Sequence, residues 1–157
     1  MYSVEQKMLN EKTKEVNFSY LAAGGRTTNY SDTSKNLNIS VTNTLGETIR
    51  ISKDQKEWTL TKEQKKIKNY TCFKAVLRSN PNVTAWYTPE ISVSHGPKLY
   101  NGLPGLILEL NAKIDQWIVR KIKFKSKEAK KIKMPTEGEL ITAKEFAKRA
   151  KGAFGEF

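Results

Sequence analysis

Apolar and polar residues alternate along the chain from residue 36 onward. Leu37, Ile39 and Val41 fall on one face of an extended chain and the residues between them are polar, which is the period-two pattern of a half-buried β-strand. The pattern returns in segments separated by turn-forming Gly, Pro, Asn and Asp residues. It predicts further strands at 47–52, 58–60, 69–78, 83–88, 106–110 and 116–125.

Two of these predicted strands depart from simple alternation. The segment 69–78 is apolar on both faces, which favours a place inside the sheet rather than at its edge. The last strand, 116–125, carries Lys121, Lys123 and Lys125 on the same face as Trp117. Because half of that face is basic, it is a candidate surface for an anionic partner.

A helix is predicted near the C-terminus. Thr142 and Glu145 have the spacing of a capping box, and Ile141 and Phe146 are placed to form a hydrophobic staple around it. A glycine follows where a helix would end. These signals predict one short helix over 143–151.

The first part of the chain lacks sustained periodicity. Residues 1–35 are mostly polar and predict a loosely structured segment, in which only 16–20 resembles a strand. Residues 36–157 predict one antiparallel β domain. The predicted fold is therefore mainly β, with a single curved antiparallel sheet, similar to a half-barrel, and one short C-terminal helix.

Length and charge narrow the function classes only in part. A chain of 157 residues fits one domain, and no stretch is long and apolar enough to cross a membrane as a helix. The first residues lack the basic region and apolar stretch of a secretory signal. A formal charge of +12 suits nucleic acid, anionic lipid or an acidic protein, and the charge alone does not choose among them.

Several spaced motifs surround a glycine-rich loop. The sequence Gly102-Leu103-Pro104-Gly105-Leu106-Ile107 follows Gly96-Pro97 and the segment 85–91, Ala-Trp-Tyr-Thr-Pro-Glu-Ile. These motifs resemble the GLPGLI family, which takes its name from the first of them. Upstream, the strand at 69–78 resembles the Tyr-x-Cys-x-Lys-Ala pattern of the family. The resemblance covers roughly residues 49–154, and it implies structural roles for Cys72, Lys74, Gly96, Pro97, Gly102 and Gly105.

The resemblance implies a compartment more than an activity. The family groups exported envelope proteins of Gram-negative bacteria without an established activity, often encoded near outer-membrane uptake receptors. It therefore implies a periplasmic or envelope location and an outer-membrane partner. Family members usually carry extra strands ahead of this segment, so we expect an uncovered sheet edge here. Either an edge strand at 16–20 or a weak homodimer would cover that edge.

The residue inventory argues against catalysis and against a cofactor. Cys72 lies in an apolar strand, where a thiol is usually inert, and His95 lies in a loop; both would be needed together for a nucleophile and its base. One His and one Cys are too few for a structural zinc site. The Gly102–Gly105 turn lacks the Lys and Ser or Thr of a phosphate-binding loop. No enzyme, cofactor or metal site is expected.

Two interpretations of the motif region stay open. In one, the glycines allow tight turns while leucines of the loop enter the core, so that a side chain at Gly105 is not tolerated. In the other, an apolar groove for a lipid or peptide is rimmed by Trp86, Tyr87, Leu103 and Pro104. The leading hypothesis is a non-enzymatic envelope protein that binds such a ligand or an outer-membrane partner. The alternative is a basic nucleic-acid-binding β module that uses the face of Lys121, Lys123 and Lys125.

Overall fold

The computed structural model describes residues 27–44, 47–124 and 132–154. Within these residues the chain forms nine strands and one α-helix: β1 (Thr27–Asp32), β2 (Leu37–Thr44), β3 (Glu47–Lys53), β4 (Trp58–Ile67), β5 (Tyr70–Leu77), β6 (Thr84–Thr88), β7 (Leu106–Asn111), β8 (Gln116–Ile118), β9 (Glu139–Thr142) and α1 (Ala143–Phe154). The predicted class, mainly antiparallel β with one C-terminal helix, is confirmed. No described helix has the length and apolar character needed to cross a membrane.

The strands belong to two sheets, where the sequence predicted one. A four-stranded sheet has the order β1-β2-β3-β9, and a five-stranded sheet has the order β4-β5-β6-β7-β8. The chain divides accordingly into two compact units. The first unit combines Met1–Asp54 with Lys133–Phe157, and the second is Gln55–Ile132.

The four-stranded sheet contains one parallel pair. β1 pairs with β2 and β2 with β3 in antiparallel fashion, whereas β9 runs parallel to β3 with Ile51 opposite Ile141. Parallel neighbours need a long connection, and here the whole second unit lies between them in the sequence. Arg50 of β3 helps to hold the segment before β9, because its Nε donates to the Gly138 carbonyl at 3.0 Å and its Nη1 to the Pro135 carbonyl at 3.3 Å.

The helix covers an aliphatic patch of this sheet. Ala143 and Phe146 pack against three buried isoleucines, Ile49, Ile51 and Ile141. At its start, the Thr142 hydroxyl accepts a hydrogen bond from the Glu145 amide at 3.1 Å, as the predicted capping box requires. The helix continues to Phe154, three residues beyond the predicted end.

Over the described residues 27–35, the structure corrects the prediction that the segment 1–35 is loosely structured. Strand β1 begins at Thr27 and is followed by a 3-10 turn, Thr33–Lys35. Its polar residues hid the strand signal, because they are buried in pairs: Ser31 Oγ donates to Asn38 Oδ1 at 2.9 Å, and Ser40 Oγ donates to Asn29 Oδ1 at 2.8 Å. The predicted strand at 16–20 lies outside the described residues, and self-association stays a prediction.

The five-stranded sheet is antiparallel throughout. The segment predicted to lie inside the sheet is β5, which has β4 and β6 as neighbours. One face of the sheet carries the core of this unit, in which the side chains of the strands meet those of the following loops: Trp58, Ala75, Leu77, Val83, Ala85, Tyr87, Leu103, Ile107 and Leu110.

The long last strand of the prediction is wrong in its length. β8 ends at Ile118, and residues 119–123 have no regular structure. The Val119 amide still donates to the Leu108 carbonyl of β7 at 2.8 Å, and the ladder between β7 and β8 ends there although the alternation continues in the sequence. A strand needs a neighbour as well as a pattern.

Candidate functional site

The loop between β6 and β7 contains the glycine-rich motif and is tightly anchored. A Cβ atom on Gly105 would lie 2.6 Å from the Thr88 carbonyl carbon, and a Cβ on Gly96 would lie 2.6 Å from the Tyr100 carbonyl oxygen. Leu103 is buried in the core. These contacts give the motif a structural role in the loop, independent of any ligand.

The four predicted rim residues do not share one surface. Trp86 and Tyr87 are neighbours on β6, so their side chains point to opposite faces of the sheet. Tyr87 and Leu103 belong to the core, whereas Pro104 is exposed. Ligand binding by these residues stays a prediction, but the structure does not bring them together at one groove.

Two loop residues adopt a left-handed backbone although neither is glycine. Lys98 has φ of 50° and Leu99 has φ of 61°. Such conformations cost of order 1–3 kcal/mol each and are often found at functional sites. Burial of the Leu99 side chain offsets part of that cost. The same turn places the Lys98 ammonium group 2.8 Å from Asp115 Oδ2 and 5.3 Å from the centre of the Trp117 ring.

A second ring and a second cation lie in the same part of the unit. Tyr100 packs with its ring centre 6.1 Å from that of Trp58, and Lys56 Nζ is 5.6 Å from the Tyr100 ring centre. Burial raises the pKa of Tyr100, and the charge of Asp115 acts in the same direction. The phenol is therefore neutral at ordinary pH and able to donate a hydrogen bond.

Strand β8 and its flanks expose large apolar side chains. Ile114 is 82 % exposed, Ile118 is 56 % exposed and Phe124 is 62 % exposed. Trp117 lies between them, half-buried, with its indole Nε1 buried and without a hydrogen-bond acceptor among the described residues. We call the exposed Ile114 and Ile118, on β8 and the turn before it, the β8 surface.

Charged residues surround the β8 surface. Lys113, Lys121 and Lys123 are all exposed. The last two were predicted to line a strand face, but they lie in the irregular segment after β8, and Lys125 lies outside the described residues. The structure therefore replaces a basic sheet face with an apolar edge that has basic flanks.

A similar lysine and tryptophan pair lies on the opposite face of the sheet. Lys65 Nζ is 2.6 Å from Glu109 Oε2 and 4.4 Å from the Trp86 ring centre. Asn111 also donates to Glu109, at 2.8 Å. Burial by itself raises the pKa of Glu109, but the hydrogen bonds from Lys65 and Asn111 and the charge of Lys65 outweigh it, so that the pKa lies below its ordinary value.

The described residues offer little catalytic geometry around the single cysteine. Cys72 is fully buried on β5, with its Sγ 3.7 Å from the Tyr70 carbonyl oxygen. Burial raises the pKa of this thiol, which disfavours the nucleophilic thiolate at neutral pH. Across the described parts of the chain, no three His, Cys, Asp or Glu side chains come close enough to hold a metal ion.

The comparison with known families points to the same segment as the motifs. A family model described as "Protein of unknown function (Porph_ging)" matches residues 76–109, from the end of β5 through the glycine-rich loop to β7. A search among curated proteins finds no match. Over this segment the chain is similar to an uncharacterised family, which supplies no activity to transfer.

Three residues in and around the β8 surface were not predicted as candidates: Lys98, Ile114 and Asp115. A left-handed lysine and a solvated isoleucine have no periodic signature. The sequence did contain one indication that Ile114 is exposed. Ile114 stands between Lys113 and Asp115 in a turn, where an apolar residue has no evident core to enter.

Proposed function

We propose that this chain is a non-enzymatic binding protein of the cell envelope that receives an extended segment of a partner protein along the β8 surface. The observation that carries the proposal is the exposure of Ile118 on an edge strand and of Ile114 in the turn before it. Exposed apolar groups gathered at one place are typical of interaction sites. An edge strand adds backbone donors and acceptors that a second extended chain can use.

The surroundings of the β8 surface suggest the chemistry of the segment. Apolar side chains at alternate positions of an extended segment would all lie on one face and would cover Ile118. Acidic residues would face the exposed Lys113, Lys121 and Lys123. A lipid chain could cover the same apolar groups, but it cannot form hydrogen bonds with the strand backbone. A peptide can form them and therefore suits this edge better.

The envelope location and the GLPGLI assignment are part of the same proposal. Both rest on the motif resemblance, and the match of residues 76–109 supports only similarity to an uncharacterised family. On that basis an outer-membrane uptake protein is the first partner to test. Cell fractionation of the protein with a C-terminal tag, expressed from its own gene in its own host, tests the location, and a purely cytoplasmic protein would contradict it.

Selection from a random peptide pool on the immobilised full-length protein tests the binding mode. We expect selected peptides to alternate apolar with other residues and to be rich in Asp and Glu. The affinity of one such peptide is then measured for two variants, Ile118→Ser and Leu60→Ser. Leu60 is the matched control, because it is 53 % exposed and lies on β4, the opposite edge strand of the same sheet.

The two variants distinguish binding at the β8 surface from binding elsewhere on the sheet. Ile118→Ser should weaken the peptide by roughly tenfold through lost apolar contact, while Leu60→Ser should leave the affinity unchanged. Equal effects of the two variants would show that the β8 surface is not the site. Displacement of the peptide by lysophosphatidylcholine micelles, with no peptide-dependent shift of the β8 amides, would favour a lipid ligand and overturn the peptide proposal.

A further inference from the structure

The outward side of α1 carries a line of lysines in the four-stranded unit. Lys144, Lys148 and Lys151 follow one another at intervals of four and three residues, so they lie on one side of the helix over about 10 Å. All three are exposed. We call them the lysine stripe.

The lysine stripe differs from the other cation of the same helix. Arg149 is fixed by two carboxylates: its Nη1 lies 2.6 Å from Glu139 Oε2, and its Nη2 lies 2.7 Å from Glu145 Oε1. Glu145, the acidic residue in the first turn of α1, is thereby engaged. No carboxylate of the described residues comes within ion-pair distance of the stripe.

Two other cations of this unit also have partners. Lys35 pairs with Asp32 at 3.5 Å, and Arg50 donates to two backbone carbonyls. The stripe is thus a local surplus of three positive charges, separated from the apolar side of the helix that Ala143 and Phe146 turn toward the sheet. An uncompensated line of like charges favours an anionic partner.

We propose that the lysine stripe docks the protein on an anionic lipid surface, with its ammonium groups against headgroup phosphates. Clusters of lysine near a membrane bind anionic lipid roughly in proportion to their number. The exposed Ala147, between the lysines, offers no bulky apolar group for insertion into the acyl region. Binding should therefore be peripheral and strongly reduced by salt.

The composition of the stripe favours lipid over nucleic acid. Proteins that bind single-stranded nucleic acid usually combine a basic groove with aromatic rings on which bases stack. Residues 144–151 contain one ring, Phe146, and it packs against the sheet. A line of charges without a stacking ring therefore favours headgroup phosphates over the bases of a nucleic acid.

Vesicle co-sedimentation of the full-length protein tests the proposal. The probes are phosphatidylcholine vesicles with and without phosphatidylglycerol, at low and high salt. The triple variant Lys144→Gln, Lys148→Gln, Lys151→Gln removes the stripe. Its matched control replaces three exposed lysines of the other unit that also lack ion pairs among the described residues, with the same change of net charge: Lys62→Gln, Lys66→Gln, Lys68→Gln.

We expect the stripe variant to lose vesicle binding selectively. Wild type should bind only the anionic vesicles, the stripe variant should bind them about 100-fold more weakly, and the control should change by only a few fold. Equal losses in both variants would show that net charge alone attracts the membrane. Equal binding of both vesicle types would exclude headgroup charge, and duplex DNA binding that depends on the stripe without vesicle binding would reassign the surface. Each of these results overturns the proposal.

Discussion

Two clusters of the five-stranded unit contain the same chemistry. In each, a lysine pairs with a carboxylate and lies over a tryptophan: Lys65 with Glu109 and Trp86, and Lys98 with Asp115 and Trp117. The ion pairs measure 2.6 and 2.8 Å. The clusters differ in their backbone. The first joins three strands, β4, β6 and β7, whereas the second joins a left-handed loop turn to the edge strand β8.

This difference separates a structural role from a binding role. The Lys65 cluster is positioned by strand register, since Glu109 stands directly opposite Trp86 in the ladder. The Lys98 cluster is positioned by a turn with unfavourable backbone angles, beside exposed isoleucines. We infer that identical side-chain groups stabilise the sheet in one place and are available to a partner in the other. The predictions below test that contrast.

The largest effect is expected where both clusters depend on one residue. Gly105 begins the turn into β7, which carries Glu109, and ends the loop that carries Lys98. In the variant Gly105→Val, the new side chain would overlap the Thr88 carbonyl group, so we expect a loss of about 3 kcal/mol or more in unfolding free energy. Urea denaturation measures it.

Gly152→Val is the matched control. A Cβ at Gly152 meets no atom within 4 Å. This variant should therefore change stability by less than about 1 kcal/mol, because only helix propensity is altered. If Gly105→Val shifted the melting temperature by no more than about a degree, the glycine-rich motif would have no structural role of the kind argued here.

The ion pairs themselves should differ in their contribution to stability. Lys65→Met leaves Glu109, whose side chain is 12 % exposed, without its cation, and should cost about 1–2 kcal/mol after allowance for partial exposure of the lysine. Lys98→Met leaves Asp115 without its cation, but Asp115 is more exposed, at 28 %, so a smaller cost of about 0.5 kcal/mol is expected. Parallel urea titrations compare them. A larger cost for Lys98→Met would reverse the assignment of roles.

The pH dependence of stability provides a smaller test of the Lys65 cluster. Because the folded-state pKa of Glu109 is lowered, its charged form contributes stability above its unfolded pKa, and this contribution is lost as pH falls through the folded value. The stability difference between wild type and Glu109→Gln should therefore shrink below about pH 4. In a Lys65→Met background this pH dependence should largely vanish. Its persistence there would mean that Lys65 does not lower the pKa.

The strands that sequence patterns predicted well are those with local partners. β2, β3, β5 and β7 alternate clearly or are apolar on both faces, and each pairs with a neighbour in sequence. The capping box likewise placed the start of α1. β9 escaped prediction because it is only four residues long and its partner β3 lies more than 80 residues earlier in the chain. Long-range pairing leaves no mark in local periodicity.

The candidate site was predictable only in fragments. Trp117 and Ile118 were assigned to a strand, but their exposure depends on β8 being an edge, which a single predicted sheet could not reveal. Lys98 escaped because nothing in its residue type indicates positive φ. Its effect arises from the turn forced by Gly96 and the burial of Leu99, and those constraints appear only after the loop has folded onto the core.

The smallest expected change in unfolding free energy concerns the left-handed turn of the Lys98 cluster. Lys68, in the turn between β4 and β5, has φ of 54°, close to the 50° of Lys98, but takes part in no ion pair among the described residues. Glycine relieves positive-φ strain at either position, so Lys68→Gly should gain about 0.5–1 kcal/mol. Lys98→Gly relieves the same strain but removes the ion pair with Asp115, so its free energy of unfolding should be close to that of wild type. If Lys98→Gly instead stabilised the protein as much as Lys68→Gly in urea denaturation, the Lys98–Asp115 pair would contribute nothing to the folded state. A partner could then engage both charges at no cost in stability.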